Sequence, residues 1–160
     1  MKEKILRLLE KEARLTDAQI GAALGISEKE VRAEISALEE SGVIRGYRCI
    51  LDREAISPGE VTAIIELKVI PRAGRGFEYV AEIISEYPQV EYCALLSGVS
   101  DLIIAVRGKS LFEISSFVSG ELAMIDGVTS TKTQFIMRKY KELGVCLYAD
   151  ENDGRGVLSL

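Results

Sequence analysis

The chain has 160 residues, 48% of them hydrophobic and 28% charged, with only 3 prolines, which excludes a disordered protein and suits one ordinary domain or two small ones. No apolar stretch nears the roughly 18 residues that span a bilayer. The opening MKEKILRLLEKEARL is too charged for a signal peptide, so the expectation is a cytoplasmic protein without a membrane partner. Histidine is absent, which excludes His-based triads and imidazole zinc sites. The three cysteines, Cys49, Cys93 and Cys146, read as reduced core thiols rather than a disulfide framework, and no metal site, cofactor or catalytic centre is expected.

Net charge is −5, unevenly spread. Residues 1–51 carry nine basic and nine acidic side chains, and residues 52–160 carry eleven and sixteen. Neither part is basic, so any DNA contact must come from local clustering.

In chain order, Ile5, Leu8 and Leu9 predict a helix over about Lys2 to Glu12. Thr16 with Gln19, and Ser27 with Glu30, have capping-box spacing and predict helices through Ile20–Leu24 and Val31–Leu38, separated at Gly25. Three short helices with a tight Gly25-Ile26-Ser27 turn spell a helix-turn-helix. At about 100° per residue, Lys29, Ala33 and Ser36 lie opposite the Val31–Ile35–Leu38 stripe, with Arg32 beside them and Ser27 at the helix start. Lys29 and Ser36 suit phosphates or base edges, and Arg32 suits a fork onto guanine. Arg45, Tyr47 and Arg48 add a small basic cluster. Glu28, Glu30 and Glu34 flank this face, so a tri-helical packing module with solvated charges remains the other reading.

Ile44–Leu51 is expected to be a strand leading out of the helices, and Ser57-Pro58-Gly59 a turn ending a hinge. Val61, Ala63, Ile65, Leu67 and Val69 alternate as a strand. Phe77–Tyr87 has helical spacing up to Pro88, Val90–Leu96 and Leu102–Val106 form a hairpin, Leu111–Leu122 is a second helix and Val128–Met137 a fourth strand. The order βαββαβ is that of a ferredoxin-like sandwich, so the fold class is α+β. Its open face is expected to hold Ile64, Ile70, Cys93, Leu95, Ile103 and Ala105, an apolar surface that a second copy would cover in a homodimer. Lys139–Tyr148 suggests a turn and a short strand. The expected divisions are 1–51, a hinge at 52–59, a second domain at 60–149 and a flexible tail at 150–160, whose Val157, Leu158 and Leu160 could pair with a neighbour.

Three segments in this order, LGISEKEVRAEISALEESGVIRGYRCILD (Leu24–Asp52), LLSGVSDLIIAV (Leu95–Val106) and IDGVTSTKTQFIMRKYK (Ile125–Lys141), resemble the Lrp/AsnC (feast/famine) family of transcription regulators. The resemblance covers Ile5 to about Val145. It implies a winged-type helix-turn-helix followed by a RAM/AsnC-type effector domain, and a one-component regulator that binds double-stranded DNA as a dimer. It further implies an amino acid or related metabolite held between dimers near Ser97–Asp101, with assemblies up to octamers. The residues suit that ligand: Asp101 can pair with an ammonium and the Gly98–Val99–Ser100 backbone with a carboxylate. Ser97, Ser100, Thr131 and Thr133 offer hydroxyls. An ordinary hairpin turn, with Asp101 bonding its own backbone, is the plainer reading of the same residues. The chain departs from the family pattern at Ser100, where an aromatic residue is usual, at Glu34, where a basic one is, and in lacking the usual acidic pair that opens the first helix.

Two rival functions stand beside this one. Some haem-pathway decarboxylases resemble the same two-domain layout, but the chain has no histidine and no placeable cluster of Arg, Tyr and carboxylate. The other is a metabolite-binding or protein-interaction module of this architecture with weak or lost DNA binding, which the acidic third helix favours.

Overall fold

The computed structural model describes residues 1–147. The expected tail at 150–160, with Val157, Leu158 and Leu160, lies outside the described residues. The chain divides into two compact units, Met1–Ile50 and the part from Leu51 onward.

The first unit is three helices: α1 (Lys2–Lys11), α2 (Asp17–Leu24) and α3 (Glu28–Glu40). Ile5, Ile20 and Val31, one from each helix, are fully buried against each other, with Leu8, Leu9, Leu15, Leu24, Ile26 and Ile35 around them. Each such aliphatic side chain contributes roughly 1.5–3 kcal/mol on burial. Both capping boxes form, Thr16 with Gln19 and Ser27 with Glu30. Gly25 ends α2 in the left-handed region at φ 71°, where a side chain would be strained. Gly21 is required by space instead: a Cβ there would lie 2.7 Å from the Ile26 carbonyl oxygen. The turn therefore packs directly onto α2.

The expected strand at Ile44–Leu51 is not formed; these residues carry no regular structure. The N–H groups of Val43 and Ile44 both return to the Leu38 carbonyl and close the end of α3. A strand needs a neighbouring ladder, and no described strand runs beside this segment.

The second unit begins with a single turn, α4 (Arg53–Ile56), inside the segment expected to be a hinge; the Asp52 carboxylate accepts from the N–H groups of Glu54 and Ala55 at 3.1 and 3.4 Å. Then come β1 (Val61–Val69), α5 (Glu78–Ser85), β2 (Val90–Leu95), β3 (Leu102–Gly108), α6 (Leu111–Gly120), a 3-10 turn at Leu122–Met124 and β4 (Val128–Ile136). The sheet order is β2-β3-β1-β4 with all neighbours antiparallel, the ferredoxin-like arrangement. A two-residue pair, β5 (Lys141–Glu142) and β6 (Val145–Cys146), follows.

The core lies on one side of the sheet. Ala63, Ile65 and Leu67 of β1 and Leu102, Ile104 and Val106 of β3 pack with Val80 and Ile84 of α5 and Ile114 and Phe117 of α6. The other side shows Ile64 of β1 and Ile103 and Ala105 of β3, as expected, together with Glu66 of β1. Strand β2 differs. A register shift between Val90 and Tyr92 sets Tyr92 opposite Ala105, Cys93 opposite Ile104 and Leu95 opposite Leu102. Cys93 and Leu95 therefore belong to the helix-covered side, and Tyr92 and Ala94 to the open one. Burial pushes the Cys93 thiol pKa up. Cys49 and Cys146 are exposed, not core thiols as expected. No described helix is long and apolar enough to cross a membrane.

Candidate functional site

Two polar clusters coincide with the segments singled out in the sequence. The first is at the start of α3. Lys29, Ala33 and Ser36 are exposed, opposite the buried Val31 and Leu38. Ser27 is exposed too, but its hydroxyl and N–H are both engaged with Glu30, which holds the Glu30 carboxyl below the usual range. Arg32 is not free. Its Nε donates to Asp17 at 2.9 Å and its Nη2 to Glu28 at 2.6 Å, and the Asp17 bond, then the two negative charges, raise its pKa further. After α3, Arg45 lies over Gly42, Tyr47 donates its hydroxyl to Glu39 at 3.0 Å and Arg48 is exposed. Partial burial first and Glu39 second raise the Tyr47 pKa. Of the cluster expected here, Tyr47 is thus turned back onto the acidic helix.

The second cluster is the loop between β2 and β3. Asp101 anchors it three ways: its N–H donates to Leu67 O at 2.9 Å, its carbonyl accepts from Leu96 N at 2.7 Å, and its carboxylate Oδ2 accepts from Val69 N at 2.8 Å. The β1–β3 ladder ends at Leu67 opposite Leu102, so the carboxylate satisfies the next inward N–H of β1, which β3 no longer reaches. Asp101 thus binds backbone, as the plainer reading has it, but that of β1 rather than its own loop.

Ser100 is 9% exposed and donates its hydroxyl to Glu66 Oε2 at 2.8 Å. Glu66 Oε1 accepts from Gln134 Nε2 at 2.8 Å, with Lys132 Nζ 4.0 Å away. The tip is open: Val99 is 86% exposed, Ser97 and Gly98 are exposed, and the N–H groups of Ser97 through Ser100 make no hydrogen bond among the described residues.

Thr131 and Thr133 do not join this cluster. They pair with Leu67 and Ile65, so they share the helix-covered side, whereas Glu66, Lys132 and Gln134 share the open one. Sequence reasoning counted hydroxyls on β4 without its register and missed Glu66 and Gln134, whose signal was a lone carboxylate inside an alternating apolar strand. It also missed Asp17 as a partner of Arg32. A cleft lined by Glu60, Gln89, Glu91, Arg107, Lys109 and Glu113 lies at the other end of β1 and β3, where Val61 pairs with Gly108.

Comparison with known proteins follows the same division. Residues 62–145 match the family profile described as the Lrp/AsnC ligand binding domain, and residues 1–45 that described as winged helix-turn-helix DNA-binding. An uncharacterised HTH-type transcriptional regulator of Bacillus subtilis, YugG, is 39% identical over 157 residues, covering 98% of this chain and 95% of that one. The HTH-type transcriptional regulator LrpA of Pyrococcus horikoshii is 33% identical over 137 residues, covering 86% and 94%. Among solved structures, a transcriptional regulator of Neisseria meningitidis in complex with L-Met superposes with a TM-score of 0.69 at 24% identity, covering 88% of this chain and 90% of that one. The leucine response regulatory protein of Mycobacterium tuberculosis gives 0.76 at 18%, covering 92% and 97%. These two likenesses concern the fold.

Proposed function

Because this chain belongs to the Lrp/AsnC family of transcriptional regulators, not enzymes, we propose that it binds specific DNA sequences and adjusts that binding to an amino acid or related metabolite. The observation that carries the effector reading is the loop tip. Four successive N–H groups, Ser97 to Ser100, have no partner among the described residues, and Asp101 Oδ1 beside them takes no hydrogen bond. Free N–H groups hold a carboxylate, and an open carboxylate oxygen holds an ammonium. The Neisseria neighbour was solved with L-Met, an amino acid.

In this reading the open sheet face, with Ile64, Ile103, Ala105, Tyr92 and Ala94, is covered by a second copy, so that two helix-turn-helix units face one duplex. Dimers join further, with the effector between them. The effector acts through different affinity for different assemblies, which changes the spacing of the DNA-binding units. Several weak modules on one assembly raise the effective concentration for neighbouring sites, which offsets the acidic α3.

The test is a gel shift with genomic fragments selected by the purified chain, paired with light scattering, across a panel of amino acids. One of them should change both DNA affinity and assembly size. A panel that changes neither overturns the effector half. The clamped Arg32 favours a second reading, an interaction module that no longer contacts DNA. Lys29→Glu with Arg32→Glu separates the two: binding drops sharply in a regulator, whereas in such a module there is none to lose.

A further inference from the structure

We propose that Asp17 and Glu28 are specificity-determining residues that hold Arg32 as a fixed reader of a guanine edge and keep it off the phosphate backbone. The inference rests on the DNA-binding reading above and deepens it.

Each of the two carboxylates is the first residue of its helix, Asp17 of α2 and Glu28 of α3. They converge on one guanidinium that lies a turn into α3, so one ion cluster ties the starts of both helices of the motif. The two bonds leave from Nε and Nη2, one side of the planar fork. Guanidinium has five N–H donors, and three remain. Where Glu28 takes the Nη2 hydrogen on the Nε side, one donor on Nη1 and one on Nη2 are left as the end edge, which matches the O6 and N7 acceptors of guanine. The Arg32 side chain is 65% exposed, so its two partners leave much of it open to solvent.

Charge decides what the edge will bind. Arg32 with two carboxylates sums to −1, so the cluster as a whole is repelled by phosphate, while its two aligned N–H groups still bond to a neutral base edge. A free arginine in the same place would bind any phosphate within reach. Two other glutamates of α3 are engaged elsewhere: Glu30 caps Ser27 and Glu39 accepts from Tyr47.

The experiment starts from duplexes that the full chain selects out of a random library. Affinity is then measured for a selected duplex, for single G·C replacements within it, and for a scrambled duplex. Asp17→Asn combined with Glu28→Gln should raise affinity for the scrambled duplex and reduce discrimination by about tenfold, the loss concentrated at one G·C pair. Arg32→Ala should lose discrimination at that same pair, and adding the two carboxylate changes to it should cost nothing more. Unchanged discrimination in the carboxylate variant, or a loss that persists without Arg32, overturns the proposal. Tighter binding with discrimination intact also overturns it, because the carboxylates would then only mask the arginine. A wild-type chain that selects no duplex sinks the DNA-binding reading itself, an outcome distinct from all of these.

Discussion

The carboxylate of Asp101 accepts the backbone N–H of Val69 at 2.8 Å, a bond between residues 32 positions apart that continues the β1–β3 ladder after β3 has ended. Its removal tests how far the loop depends on it. Asp101→Ala leaves the Val69 N–H without its acceptor and should cost about 1–3 kcal/mol of stability. Asp101→Asn keeps an acceptor oxygen and should cost clearly less. Urea unfolding of the two variants gives the comparison.

Gly21 leaves no room for a side chain. In Gly21→Ala the new methyl would press on the Ile26 carbonyl oxygen, backbone that cannot swing away as a side-chain end would. The expected loss is about 1–3 kcal/mol, confined to the three-helix unit. Hydrogen exchange should show faster opening of α2 and α3 with the sheet protected as before.

Ser27→Ala removes the cap of α3 and should cost about 1 kcal/mol. The same box sets a pH dependence. Hydrogen bonds from Ser27 lower the folded-state pKa of Glu30, so the unfolded chain takes up this proton first as pH falls. The contribution is complete above the ordinary glutamate range and disappears as pH drops through the lowered folded value. Helicity of wild type should therefore decline over that acid window more steeply than that of Ser27→Ala.

Ile103 lies half-buried on the open face of β3, opposite Glu66 and Ala94 and away from the core. Ile103→Asp should leave the fold intact and release monomers, because covering the face would then bury an unpaired charge. Sedimentation of the variant against wild type reads the mass directly, and an unchanged mass would overturn the proposed cover of this face by a second copy.

Much of this architecture is legible in local sequence. The Ser27–Glu30 spacing, the alternation of Ala63, Ile65 and Leu67 and the stop at Gly25 are short-range signals, and each corresponds to an observed element. What was misread depends on distant partners. Cys93 and Leu95 changed sides because a register shift near Val90 reverses the parity of β2, and Thr131 and Thr133 fell on the covered side for want of a register for β4. Ile44–Leu51 has strand-like residues but no ladder to join. The Glu66–Ser100 and Arg32–Asp17 bonds join residues 34 and 15 positions apart, and no local pattern announces either.

Glu66 is a single carboxylate set among Ile64, Ile103 and Ala105, satisfied by Ser100 and Gln134 from the loop and the edge strand. A flat hydrocarbon surface would let two stacked molecules slide past one another at little cost. A charged locating pin ends that freedom: any misaligned pairing forces the pin against grease and strips its water without replacement. In the assembly proposed above, the alignment of two copies and the posture of the loop at Ser100 would then answer to the same side chain.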